Sequence, residues 1–208
     1  MARRNPKDQN KSQLLEKLVI VLLLAALGAA MYFNYLSELV RSTSSKQGDF
    51  DVLRGSKFVD HGSNDGDSFH IAHGGKEFVF RLYSVDCPEK SARRFQNRLA
   101  DQGKYFGGIA EEEVVELGLE AKDFVEDLLK RNEFIVYTRW EEVYDSGRFF
   151  ALIEVGDRLL SEILIERGMA RIYTKRVGLP DGESFKQQRE DLRALESTAK
   201  AAKVGGWR

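Results

Sequence analysis

The sequence predicts an α+β fold: a five-stranded Greek-key barrel with helices, carried behind one N-terminal transmembrane helix. Three observations in its 208 residues support this. Short strand-like segments are separated by turn signals and interrupted by one amphipathic helical pattern, with further helical patterns after them. An apolar run near the N-terminus approaches bilayer length. A polar stretch with Ser42, Thr43, Ser44, Ser45, Lys46, Gln47 and Gly48 in a row separates that run from the strands.

The apolar run covers residues 18–36, 19 residues without a charged side chain, close to the roughly 20 that cross a bilayer as a helix. Arg3, Arg4, Lys7, Lys11 and Lys17 precede it, and Tyr32 and Tyr35 stand where an interfacial aromatic belt would lie. The positive-inside bias puts the basic segment 1–17 in the cytoplasm and everything after the run outside, in a single-pass membrane protein. The alternative is a secreted protein released from a signal peptide, since Gly28, Ala29 and Ala30 offer a small-residue cleavage site. Bulky Met31, Tyr32 and Phe33 continue the run past that site and favour the anchor. Residues 37–56 then read as a linker.

The domain is expected over 57–208. Phe58 and Val59 suggest a first strand and residues 68–72 a second, which His73-Gly74-Gly75-Lys76 turns into a third over 77–83. Residues 91–118 form a long charged insertion, basic at first and acidic later. Ala121, Phe124, Val125, Leu128 and Leu129 recur at helical spacing and predict a helix over 119–132. Strands follow over 133–140 and 148–155. A short helix over 159–167 stops at Gly168, an extended piece covers 169–174, and a polar helix covers 183–203. Five strands with one helix between the third and fourth is the order of an oligonucleotide-binding-type (OB-type) barrel.

Composition narrows the chemistry. Charged residues make up 31% of the chain, yet the formal net charge is only −1. Residues 1–43 hold six Lys/Arg against three Asp/Glu, which leaves 26 basic and 30 acidic residues after them. A polyanion would therefore be held by local arginines or a metal ion, not by a bulk positive field. Cys87 is the single cysteine, which excludes an internal disulfide. His61, His70 and His73 show no metal-ligand grouping and read as structural.

Two stretches concentrate reactive side chains: Asp65-Gly66-Asp67-Ser68, and Phe80-Arg81-Leu82-Tyr83-Ser84-Val85-Asp86-Cys87-Pro88-Glu89. An Asp-Gly-Asp turn alone is common and usually solvated. A strand running out of it and a second strand ending in Arg-x4-Asp-x2-Glu is a rarer arrangement. Hard oxygen ligands suit a calcium-like ion, and an arginine beside them suits a phosphate. That combination points to phosphodiester chemistry.

These stretches resemble the staphylococcal nuclease (thermonuclease) family. So do Gly147-Arg148 before a strand, the run Leu164-Ile165-Glu166-Arg167-Gly168-Met169-Ala170, and the terminal Gly206-Trp207; the similarity spans about residues 57–208. The resemblance implies an endonuclease acting on DNA and RNA. It implies that Asp67 and Asp86 bind calcium (Ca2+) with the backbone carbonyl of Cys87, and that Arg81 and Arg148 contact the phosphate. It implies further that Glu89 is the general base and that Asp65 supports the site. Tyr173 lies where family aromatics contact substrate, although packing would explain it equally. Arg93, Arg94 and Arg98 fall in a segment longer than the family's usual loop. They could grip a nucleic-acid strand, or the insertion could be a lid, a partner surface or simply solvated. The cysteine thiol reads as inert. Two rival readings are a catalytically degenerate binding module and a structural membrane protein, and no protein partner is deducible.

Overall fold

The structure is a computed structural model that describes residues 17–31, 44–92 and 96–208. The chain divides into two units, Met1–Ser42 and Thr43–Arg208. In the first, residues 17–31 form a helix (α1) whose apolar side chains, Leu22, Leu23 and Leu24 among them, are exposed. Residues 32–36 of the expected 19-residue span lie outside the described residues. Among the described residues no helix is long and apolar enough to cross a membrane.

The second unit begins earlier than the sequence suggests. Within the expected linker 37–56, residues from 44 onward form strands β1 (Ser44–Gln47) and β2 (Phe50–Leu53), which pair antiparallel. The polar sequence of β1 misleads because it is an edge strand, with Lys46 exposed. An edge strand needs no apolar alternation to hold its ladder. Phe50, Val52 and Leu53 of β2 are buried, and β2 pairs with a later strand at Phe134–Glu142.

Next come β3 (Lys57–Val59), β4 (Ser68–His73), β5 (Lys76–Leu82) and β6 (Val85–Asp86). Helices α2 (Gln96–Tyr105) and α3 (Glu111–Arg131) precede β7 (Phe134–Glu142), β8 (Arg148–Val155) and β9 (Arg158–Leu159). The chain ends with α4 (Leu160–Glu166), β10 (Arg171–Ile172), α5 (Phe185–Ala202) and a 3-10 turn, Gly205–Trp207. Two elements correct the reading of 91–118 as an excursion before a helix at 119. Helix α2 buries Leu99 and Gln102, and α3 starts at Glu111. The run Glu111, Glu112 and Glu113 is its first turn, where carboxylates complement the helix dipole. The Glu113 carboxylate accepts a bond of 2.8 Å from the Ala110 N–H.

Among the described residues the main sheet runs β1-β2-β7-β8-β5-β4-β3, with β9 beside β8. Its single parallel pairing is β5 with β8. Strands β2 and β3 are successive pieces of one segment, broken at Gly55 with φ +70°. One piece borders β7 and the other β4, which curls the sheet into an OB-like barrel in a mixed α+β domain. The sheet is thus richer in strands than the five expected. In β8, Ala151 and Ile153 face a core shared with Ala121, Val125 and Leu129 of α3. The alternate residues Phe150 and Leu152 join Phe50, Val52 and Tyr83 in a second cluster. Burial on both faces follows from the two-residue strand period.

The buried Phe50 makes the revised domain start testable. Phe50→Ala should lower unfolding free energy by roughly 3–5 kcal/mol, read by denaturant titration. An unchanged midpoint would return residues 44–53 to linker status.

Candidate active site

The turn at residues 65–67 and the far end of β5 meet because β4 and β5 pair with Ser68 opposite Arg81. The Asp67 N–H donates to Asp65 Oδ1 at 3.3 Å, and the Leu82 N–H donates to the Asp67 carbonyl at 2.8 Å. Gly66 is required by close approach. A Cβ there would lie 2.8 Å from Cys87 Sγ and 2.9 Å from Ala121 Cβ. Beyond β5 the chain breaks at Ser84, whose φ is +68°. This left-handed residue is held by bonds from its N–H to the Lys175 carbonyl (2.9 Å) and from its hydroxyl to Gln188 Oε1 (3.1 Å). The break re-aims β6, which pairs with β10 so that Asp86 stands opposite Arg171.

Arg81 lies between two buried carboxylates, 3.0 Å from Asp67 Oδ1 and 2.6 Å from Asp86 Oδ1. Asp67 Oδ2 accepts from the Cys87 N–H at 2.8 Å, tying turn to strand end. Asp86 is 0% exposed and also pairs with Arg98 and with Arg171 Nε at 2.8 Å. The buried Gln102 amide donates to Asp86 Oδ2 (3.1 Å) and to the Cys87 carbonyl (3.0 Å), and its oxygen accepts from the Glu89 N–H (3.0 Å). Glu89 Oε1 lies 3.1 Å from Arg98. At the start of β8, Arg148 Nε donates to Ser146 Oγ at 3.1 Å. An open cleft of about 600 Å³ is lined by Asp65, Arg81, Glu89, Arg98, Arg148 and Tyr173, among others. Tyr173 is 59% exposed and lies under the Arg171 guanidinium.

Charge is unevenly shared here. Burial pushes Asp67 well above the usual carboxylate range; Arg81 opposes this, while Asp65 and Asp86 add to it. Burial also works on Asp86, but Arg98, Arg81 and Arg171 outweigh it and hold that carboxyl below its usual range. Glu89 is raised by burial, against the pull of Arg98. The buried Cys87 thiol is pushed well above its ordinary value, first by burial and then by Asp67. A protonated, enclosed thiol is a poor nucleophile.

Among the described residues no three His, Cys, Asp or Glu side chains form a group that could hold a metal ion. The donor chemistry nonetheless fits a hard divalent cation. Asp67 and Asp86 converge on one guanidinium, and the Cys87 carbonyl shares the Gln102 amide with Asp86. The push on Asp67 from its acidic neighbours is what an added cation relieves. Calcium completes its six to eight ligands with water and substrate oxygens, so two side chains and a carbonyl suffice as a protein contribution.

The structure brings together Asp65, Asp67, Arg81, Asp86, Cys87 and Glu89, with Arg148 and Tyr173 on the cleft wall. Arg93 and Arg94 lie outside the described residues. Gln102 and Arg171 were not singled out from sequence. The available signal was helical spacing within the insertion, where Arg98, Leu99, Gln102 and Phe106 fall within about 100° of one another on one face. Arg171 offered only a charge inside an extended apolar segment.

A family model described as staphylococcal nuclease homologue matches residues 79–208. The match takes in Arg81, Asp86, Glu89 and Arg148 and begins after the Asp65–Asp67 turn. No curated protein matches the chain.

The seat of Glu89 depends on one glycine of α3. A Cβ at Gly118 would meet the Pro88 carbonyl oxygen at 2.6 Å and that of Glu89 at 2.7 Å. Alanine is intrinsically favoured over glycine in a helix by about 1 kcal/mol. Gly118→Ala should nevertheless destabilise, by roughly 1–3 kcal/mol, because backbone must yield. A raised thermal midpoint would show the helix and the strand end to be separable.

Proposed function

The chain belongs to the staphylococcal nuclease homologue family, and from that premise we propose that it is a calcium-dependent endonuclease hydrolysing phosphodiester bonds of DNA, RNA or both. The observation that carries this reading is the pair Asp67 and Asp86 joined by Arg81, next to Glu89, at an open cleft walled by Arg148. Asp67, Asp86 and the Cys87 carbonyl would hold the ion, which when bound supplies positive charge against the developing charge on the phosphate. Arg81 and Arg148 bind the non-bridging oxygens; a guanidinium presents two parallel donors, which an ammonium cannot. Glu89 accepts the proton of the attacking water from the rim of the cleft. The Gln102 amide oxygen holds the Glu89 backbone N–H, and Arg98 pairs with the Glu89 carboxylate. Tyr173 offers an exposed ring for a base or sugar.

One observation favours a second reading, a non-hydrolytic binding module of the same fold. Both oxygens of Asp86 already accept protein donors. Oligonucleotide binding without cleavage, whether or not calcium is added, would establish it.

The N-terminal unit is proposed as a membrane anchor that holds the nuclease domain on the outer side, periplasmic or extracellular. The support is the charge-free run 18–36 with basic residues ahead of it. Exposed apolar side chains along α1 suit a lipid or protein environment better than water.

With calcium, the full chain should cleave single-stranded DNA and RNA, and excess chelator should abolish cleavage; equal rates with chelator would sink the metal assignment. Arg148→Lys should lower kcat/KM by roughly 10²–10³-fold at an unchanged thermal midpoint, read by initial rates. Rates near wild type would remove Arg148 from the phosphate clamp. In cell fractionation the protein should sediment with membranes, and protease outside the cell membrane should digest the domain. A soluble product starting near Met31 would show a cleaved signal, and a domain protected in the cytoplasm would reverse the topology.

A further inference from the structure

The Arg98 guanidinium occupies ground that a metal ion would need. It bonds Asp86 Oδ1 and lies 3.1 Å from Glu89 Oε1, so it bridges two carboxylates on which the proposed chemistry depends. It comes from α2, inside the segment 91–118, and it lines the cleft together with Arg81 and Arg148.

The body of α2 is fixed. Leu99, Gln102 and Phe106 are buried, and Phe106 packs on Trp207 with ring centroids 5.0 Å apart. The Tyr105 hydroxyl accepts from the Ile172 N–H at 3.2 Å and donates to Glu196. One turn before the buried Gln102, the Arg98 side chain is still 33% exposed. Its contact with Asp86 is made by the tip of a long side chain, while the backbone that carries it is held by the buried residues of the helix.

Resting on the nuclease reading, we propose that Arg98 competes with the divalent cation for Asp86 and, once displaced, releases Glu89 as well and becomes a third arginine on the substrate phosphate. Asp86 Oδ1 already accepts from both Arg81 and Arg98, so a divalent ion would be a third cation on one buried oxygen, and like charges repel strongly where the dielectric is low. Binding of the ion therefore includes the cost of displacing the guanidinium. The displaced group stays in the cleft beside Arg81 and Arg148, where a phosphodiester offers it two oxygens in place of the carboxylates it left. Cation and phosphate binding are coupled through this one side chain. Of the roles the sequence left open for this segment, the grip on nucleic acid thereby falls to Arg98.

The test is isothermal titration of the full chain in detergent, with calcium alone and then with thymidine 5′-phosphate at saturating calcium. Arg98→Gln should bind calcium at least about tenfold more tightly than wild type, a size ordinary for coupled sites. It should bind the nucleotide at least about tenfold more weakly. Arg98→Lys, which keeps the charge but has a single nitrogen to share between Asp86 and Glu89, should fall between wild type and the glutamine variant in calcium affinity. Calcium binding unchanged or weakened in Arg98→Gln overturns the competition, and unchanged nucleotide binding overturns the phosphate contact. Failure of wild type itself to bind calcium overturns the calcium reading, and the exchange falls with it.

Discussion

Asp86 is fully enclosed, and a bare carboxylate cannot be enclosed without severe loss of solvation. Its position is tenable because donors arrive from four directions: Arg81 on β5, Arg98 and Gln102 on α2, and Arg171 on β10. Each donor fixes the element that carries it against the others. The break at Ser84, the docking of α2 and the short β6–β10 ladder all serve the same end. A donor lost without a replacement cation weakens that compensation, which is more damaging than the net worth of an ion pair suggests.

The neighbouring carboxylates are treated unequally. Asp86 draws on three guanidinium groups, whereas Asp67 shares only Arg81 with it and receives one backbone N–H. That asymmetry explains why one acid is held low and the other is driven high at the same address. A site with one satisfied and one under-compensated carboxylate is a site prepared for further positive charge.

How much of this was legible follows from the range of each contact. The β4–β5 hairpin and the set Asp65, Asp67, Arg81, Asp86 and Glu89 could be read because their determinants lie within 25 residues of each other. Strand β1 could not, since an edge strand carries no apolar period. The start of α3 was hidden because three glutamates look like solvated loop until a helix dipole is there to receive them. Arg171 was invisible for a different reason. Its partner Asp86 is 85 positions away, and nothing local marks a charge that will be neutralised at that distance. The N-terminal run could be read as apolar and long, and its residues 32–36 lie outside the described residues.

That 85-residue separation has a consequence for biosynthesis. Contacts between distant segments form late, because their loop-closure entropy must be met before they contribute. A chain emerging from the ribosome can complete the β4–β5 hairpin and dock α3 well before Arg171 exists. Until it does, Asp86 lacks a donor and β6 lacks its partner strand. The carboxylate–guanidinium cluster around Asp86 is therefore among the last features to consolidate. An incomplete chain carries the acidic motif without the arginine that completes its compensation, so the cluster closes only once the C-terminal third has been made.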